Sequence, residues 1–216
     1  MRVSREQAAE NRLRILQVAS QLFREKGFDG IGVVDIMKAA GLTHGGFYGH
    51  FKSKQDLEEE SCRRTLANTR DLWQKRLEKD RTHPIAGLVD GYLTVRHRDD
   101  PGQGCAFAAL APDAARQGNG VRDAFSDGLK PLIGMVEQAI AGEMPEVSGV
   151  AEDDGSSIEN RTENSVEKND LHQEALSLIS EMVGALLLSR LVTDDTLSQE
   201  FLEASKNHLK ERSQRL

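Results

Sequence analysis

Apolar residues recur along the chain at the three-and-four spacing of amphipathic helices and almost nowhere in the alternation of a strand. Ile15, Leu16, Ala19, Leu22 and Phe23 form one stripe. Ser4-x-x-Gln7 has the form of a capping box ahead of it, and Gly27 stands where a C′ glycine ends a helix. Val33, Ile36, Met37 and Ala40 mark a short second helix, Val33 to Ala40, broken by Gly41. Thr43 is positioned to cap a third, His44 to Phe51, and Ser53 a fourth, Lys54 to about Lys79. Pro84 suits the first turn of a fifth, reaching about Arg98. After the loop Asp99 to Gln103, the pattern predicts helices over Cys105 to Gln117, kinked at Pro112, and over Val121 to Ala141, with Pro131 inside. Leu171 to Val192 and Thr196 to Lys210 close the chain. The expected class is all-α with about nine helices and no internal repeat.

Glu143 to Asp170 breaks this pattern. It is rich in Asp, Glu, Ser and Asn, lacks apolar periodicity, and reads as a disordered acidic linker. Its composition changes how the net charge of −7 is read. Residues 143–174 hold ten Asp/Glu against two Lys/Arg, whereas residues 1–57 hold nine Lys/Arg against six Asp/Glu. The bulk acidity therefore does not exclude a nucleic-acid partner for the N-terminal region, because salt confines each charge cluster to its own neighbourhood.

Other classes fall away on motif grounds. No P-loop, G-x-S-x-G or H-E-x-x-H occurs, and His97-Arg98-Asp99 lacks any kinase context, so no enzyme is expected. Cys62, Cys105 and the scattered histidines have no metal-ligand spacing; no metal or cofactor is expected. Two cysteines make no disulfide framework and suit a reducing cytoplasm. The longest greasy run, Met182 to Val192, is too short to span a bilayer, and the first residues show no signal core. A cytoplasmic protein without a membrane partner is expected.

Val33 to Lys54 (VVDIMKAAGLTHGGFYGHFKSK) carries the most information. Ala39 and Ala40 let a following helix approach, Gly41 turns the chain, Leu42 plugs the junction, and Phe47 and Phe51 pack inward. His44, Gly45, Tyr48, Gly49 and His50 remain on the outer face, as in the second helix of a helix-turn-helix.

With Leu22-Phe23-x-x-x-Gly27-Phe28, Ile36, Ala39-Ala40-Gly41, Tyr48, Phe51, Lys54 and Leu57 in register, Asn11 to Leu57 resembles the DNA-binding domain of the TetR/AcrR transcriptional repressors. A weaker likeness to one branch of that family runs from Gly104-Cys105-Ala106-Phe107 through Arg116-Gln117-Gly118. The resemblance implies a helix-turn-helix domain over 1–53 and a larger effector-binding and dimerisation domain over 54–216, with 143–170 the linker. It implies that Thr43, Tyr48 and Lys54 contact phosphate or sugar. His44, Gly45, Gly46, Gly49 and His50 fall on positions that set base choice. Three glycines in that helix depart from the family pattern and imply a close backbone approach with some reliance on DNA shape. For His50, packing against the neighbouring helix stays open beside a DNA contact. Arg2, Arg5, Arg12 and Arg14 form either a phosphate-tracking arm or a solvated face.

Met182 to Val192 is apolar nearly all round, which fits a helix buried on two sides: a homodimer interface through Leu171 to Val192 and Thr196 to Lys210, or a central core helix. The resemblance also implies a small-molecule effector among the middle helices. Trp73, Cys105 and Phe107 are the candidate ligand contacts, with Cys105 either a sensor of thiol-reactive compounds or a small buried hydrophobe. The expected whole is a ligand-released repressor on a palindromic double-stranded operator. The rivals are a DNA-binding regulator without an inducer, and a helical interaction module with a degenerate helix-turn-helix.

Overall fold

The computed structural model describes residues 4–143 and 163–215. Among them the chain forms nine α-helices: α1 (Arg5–Lys26), α2 (Val33–Ala39), α3 (Lys54–Lys79), α4 (Pro84–Tyr92), α5 (Val95–Asp99), α6 (Ala106–Ala114), α7 (Asn119–Ile140), α8 (Glu163–Leu191) and α9 (Asp195–Ser213). Two 3-10 turns, His44–Gly49 and Pro101–Gln103, complete the described elements.

Local chemistry sets most of the boundaries. Ser4 Oγ accepts the Gln7 amide at 3.1 Å, while the Gln7 side chain turns outward to Glu10 and Asn11, so half of the capping box forms. Ser53 Oγ accepts the Asp56 amide at 3.1 Å and starts α3. Gly27 and Gly41 sit at φ 75° and 68°, the left-handed region that glycine enters without a steric penalty.

The long helix α3 organises the rest. Its 26 residues extend about 39 Å. It packs on α1 and also against α4 and α7, while α8 packs on α7 and α9. A single apolar cluster runs from Ile15, Phe23, Ile36, Phe47 and Phe51 through Leu57 and Leu66 to Trp73, Leu88, Leu132 and Met182. The helix-turn-helix region and the remaining helices therefore share a continuous core.

Four expectations change. The third element is a six-residue 3-10 turn, not an α-helix to Phe51. Three of its six residues are glycine, each costing about 1 kcal/mol of helix propensity against alanine, and Thr43 makes no side-chain cap bond. The fifth helix is two. Leu93, wholly buried, leaves the helical conformation, and Thr94 Oγ1 accepts the His97 amide at 3.1 Å to start α5. The helix expected to reach Gln117 ends at Ala114, where the Arg116 and Gln117 amides turn back onto Asp113 and Ala114. Most of the Glu143–Asp170 linker lies outside the described residues, but α8 already begins at Glu163.

Phe47 is fully buried and stacks on Phe51 with centroids 5.7 Å apart. Phe47→Ala should cost about 3–5 kcal/mol of stability, measured by urea denaturation. A loss below about 1 kcal/mol would mean that this turn is not anchored through its aromatic core.

Candidate functional site

The helix-turn-helix surface is built on a buried aromatic base. Phe47 and Phe51 point into the core, and Tyr48 follows Phe47 edge-on at 5.2 Å yet is 69% exposed. Thr43, His44, Gly45 and Gly49 are exposed around it; Gly46 and His50 are half-buried. The His44 ring stands edge-on to Tyr48 at 6.3 Å. A Cβ added at Gly45 or Gly49 would meet nothing within 4 Å, so no neighbour in the chain itself requires those two glycines.

The basic residues divide. Lys54 Nζ donates to the Phe28 carbonyl at 2.5 Å and lies 3.5 Å from Glu58, a buried carboxylate whose pKa burial raises. These contacts hold it at the start of α3 beside the loop after α1. Arg12 pairs with Glu60 and lies over the Phe51 ring at 4.7 Å, a packing role. Arg5 and Arg14 are exposed, Arg2 lies outside the described residues, and Lys52 is an exposed cation that sequence reasoning passed over.

A second feature is a cavity of about 590 Å³ between α3, α4, α5 and the turn before α6. Trp73 and Cys105 line it, both almost fully buried. Phe107 does not; it packs edge-on against Phe125 at 5.3 Å, inside the core. The cavity also collects polar groups that the sequence reading missed. Arg24, from the last turn of α1, donates to the Gly102 carbonyl and to Thr65 Oγ1 at 2.9 Å. Arg190, from α8, donates to the His97 and Arg98 carbonyls at 2.6 and 3.0 Å, behind the cavity wall. Its one sequence signal was a lone charge inside an apolar run. Cys62 lies away from this cavity, and burial pushes its thiol up to about 12.

His97 is locked by geometry. Its Nδ1 lies 2.7 Å from the Tyr92 carbonyl, so it donates there, and its Nε2 accepts the Cys105 amide at 2.9 Å. Both bonds require the neutral ring with its proton on Nδ1, because a second proton would face the Cys105 N–H. Burial lowers its pKa to about 4, from an ordinary 6.5. The unfolded chain then binds the proton first. Stability from this group should be complete above pH 6.5 and fall as pH drops from 6.5 towards 4. Nitrogen-15 spectra should hold the Nδ1–H tautomer down to about pH 4, and His97→Gln should flatten the stability profile in that window. A titration near 6.5 would break this assignment.

Residues 15–60 match the sequence profile described as "Bacterial regulatory proteins, tetR family". The transcriptional regulator AcrR of Shigella flexneri is 39% identical over 71 residues, 33% of this chain and 33% of that protein. An uncharacterised regulator of Bacillus subtilis, YvdT, is 36% identical over 90 residues, 40% of this chain and 46% of that protein. The chain thus spans between a third and a half of the length of these relatives. The crystal structure of reduced E. coli NemR superposes with a TM-score of 0.71 at 22% identity, covering 94% of this chain and 96% of that one. That likeness bears on the fold, and the sequence matches bear on the N-terminal third. Residues 15–60 are thus similar to the DNA-binding region of the tetR-family regulators, and the described helices share the fold of NemR.

Proposed function

We propose that this protein is a cytoplasmic transcriptional repressor that grips a palindromic operator as a homodimer and lets go when a small molecule fills the cavity beside Trp73 and Cys105. Residues 1–53 act as the DNA-reading unit and residues 54–216 as the effector and dimerisation unit. The observation that carries the reading is Arg24. It belongs to α1, the first helix of the DNA-reading unit, yet its guanidinium forms part of the effector cavity through Gly102 and Thr65. A ligand that displaces this side chain tilts α1 and changes the spacing of the two DNA-reading units. The effector need only prefer the DNA-incompetent spacing for release to follow by population shift.

The DNA contacts follow from exposure. Thr43 and Tyr48 reach phosphate or sugar, and His44 and His50 lie towards base edges. The backbone at Gly45, Gly46 and Gly49 comes close to the duplex, and Lys54 serves mainly to orient the turn. Dimerisation uses α8 and α9, within Leu171–Val192 and Thr196–Lys210. The exposed leucines Leu188 and Leu191 on α8 and Leu197 on α9, at 39%, 71% and 43% exposure, support this, because contact with a second copy would take them out of water. A thiol-reactive inducer would act at Cys105, on the cavity wall.

Selection from a random duplex pool should enrich a palindrome whose half-sites lie one or more helical turns apart. Tyr48→Ala should weaken binding about tenfold on every sequence, the mark of a backbone contact. Gly45→Ala and Gly49→Ala should keep or raise stability and still lower DNA affinity about tenfold, since only the duplex would meet the new methyl. Anisotropy titrations measure all three. No enriched site would assign the helix-turn-helix to a protein partner instead. Cys105→Ser should leave DNA affinity intact and abolish release by N-ethylmaleimide; unchanged release would remove the thiol route.

A further inference from the structure

The effector cavity contains more positive charge than the described residues around it neutralise. Arg24, Arg76 and Arg96 line it against a single acid, Asp100, whose carboxylate already accepts the Gln103 amide. Arg76 is the telling group. It is half-buried, and among the described residues its guanidinium has neither a hydrogen bond nor an ion pair. A desolvated guanidinium with five unused donors is costly unless an anion meets it.

Two further groups nearby are unsatisfied. The Tyr92 hydroxyl is buried beside the Cys105 thiol without a regular hydrogen bond, on a residue only 1% exposed. Arg190 Nη1 is also buried without a partner. Buried polar atoms without partners are rare in folded proteins, and these two stand at and behind the wall of one cavity. The backbone accommodates the charge as well. A Cβ at Gly91 would stand 2.8 Å from Arg76 Nε and 3.1 Å from its Cδ, so the guanidinium arm lies directly over a residue with no side chain. One turn back along α3 from Arg76 the wall is apolar: Trp73 and Tyr92 meet edge-on at 5.9 Å, and Leu72 is 46% exposed.

We infer that the effector is a small organic carboxylate: its anionic head pairs with Arg76 and accepts a hydrogen bond from the Tyr92 hydroxyl, and its apolar body lies along Trp73 and Leu72. This rests on the effector reading above and adds the chemical class of the ligand. A neutral or cationic ligand of the same shape would leave Arg76 desolvated and unpaired, so selectivity for the carboxylate is built into the cavity.

Trp73 is the chain's one tryptophan and reports occupancy directly. The probes are 3-phenylpropanoate and octanoate, each with its amide and its amine, titrated against the full-length protein by fluorescence and calorimetry. The carboxylates should bind at least about tenfold tighter than their amides, with the amines weakest. Arg76→Gln should erase the difference between carboxylate and amide while leaving amide affinity unchanged. Gly91→Ala, which pushes the guanidinium aside, should weaken the carboxylates selectively, and it carries the test if Arg76→Gln does not fold. Amides or amines binding as well as the carboxylates would overturn the inference. So would a retained preference in the variants, or no carboxylate binding up to about 10 mM. Operator anisotropy run in parallel separates the two readings. Carboxylates that bind without releasing DNA keep the anion site and remove effector control. Amides that bind better and do release DNA remove the anion site and keep effector control.

Discussion

Arg24 leaves the last turn of α1 and closes on the Gly102 carbonyl and the Thr65 hydroxyl, and through these bonds the first helix is held to the middle of the molecule. The bonds are charge-assisted and partly withdrawn from water, so they are stronger and less forgiving than surface contacts. Burial also pulls the arginine below its ordinary pKa, which records how far the side chain has left solvent. Apolar packing between α1 and α3 holds the helices together without strong direction. The guanidinium fork sets how they are oriented. The same side chain therefore belongs both to α1 and to the cavity wall.

The cavity itself is an exercise in unbalanced charge. A protein interior tolerates arginines when carbonyls or carboxylates meet them, as Arg190 meets His97 and Arg98, and Arg12 meets Glu60. Among the described residues Arg76 has no such match, while the nearby acids face elsewhere. Asp100 is used in a turn, and Asp99 pairs with Arg98 at the surface. The neutral tautomer of His97 fits the same picture. Surrounded by Arg76 and Arg190 and withdrawn from water, an imidazole holds its proton poorly.

The glycine-rich turn after Gly41 works on a different principle. Its conformation does not come from helix propensity, which three glycines undermine. It comes from two buried rings, Phe47 and Phe51, that anchor a short backbone segment on α2 and α3. The outer surface is then smooth apart from Tyr48 and His44, and a smooth backbone can approach another molecule closely.

The sequence by itself determined the helical class, because apolar spacing near 3.6 residues leaves few other ways to bury those side chains. It also determined the caps at Ser4 and Ser53 and the turns at Gly27 and Gly41, since each depends on atoms within a few residues. The outward face of the helix-turn-helix was legible for the same reason. The break at Leu93 was not, because a buried leucine and a histidine that bonds Tyr92 and Cys105 outweighed a helical pattern continuing to Arg98. Neither was the commitment of Lys54 to Phe28, nor the removal of Phe107 to the side of Phe125. The arginines of the cavity were the least visible. Arg24, Arg76 and Arg190 are far apart in the chain and look like ordinary solvated charges one at a time. Only the tertiary structure, by bringing α1 and α3 to one cavity with Arg190 of α8 behind its wall, decided which of those charges find partners among the described residues and that Arg76 does not.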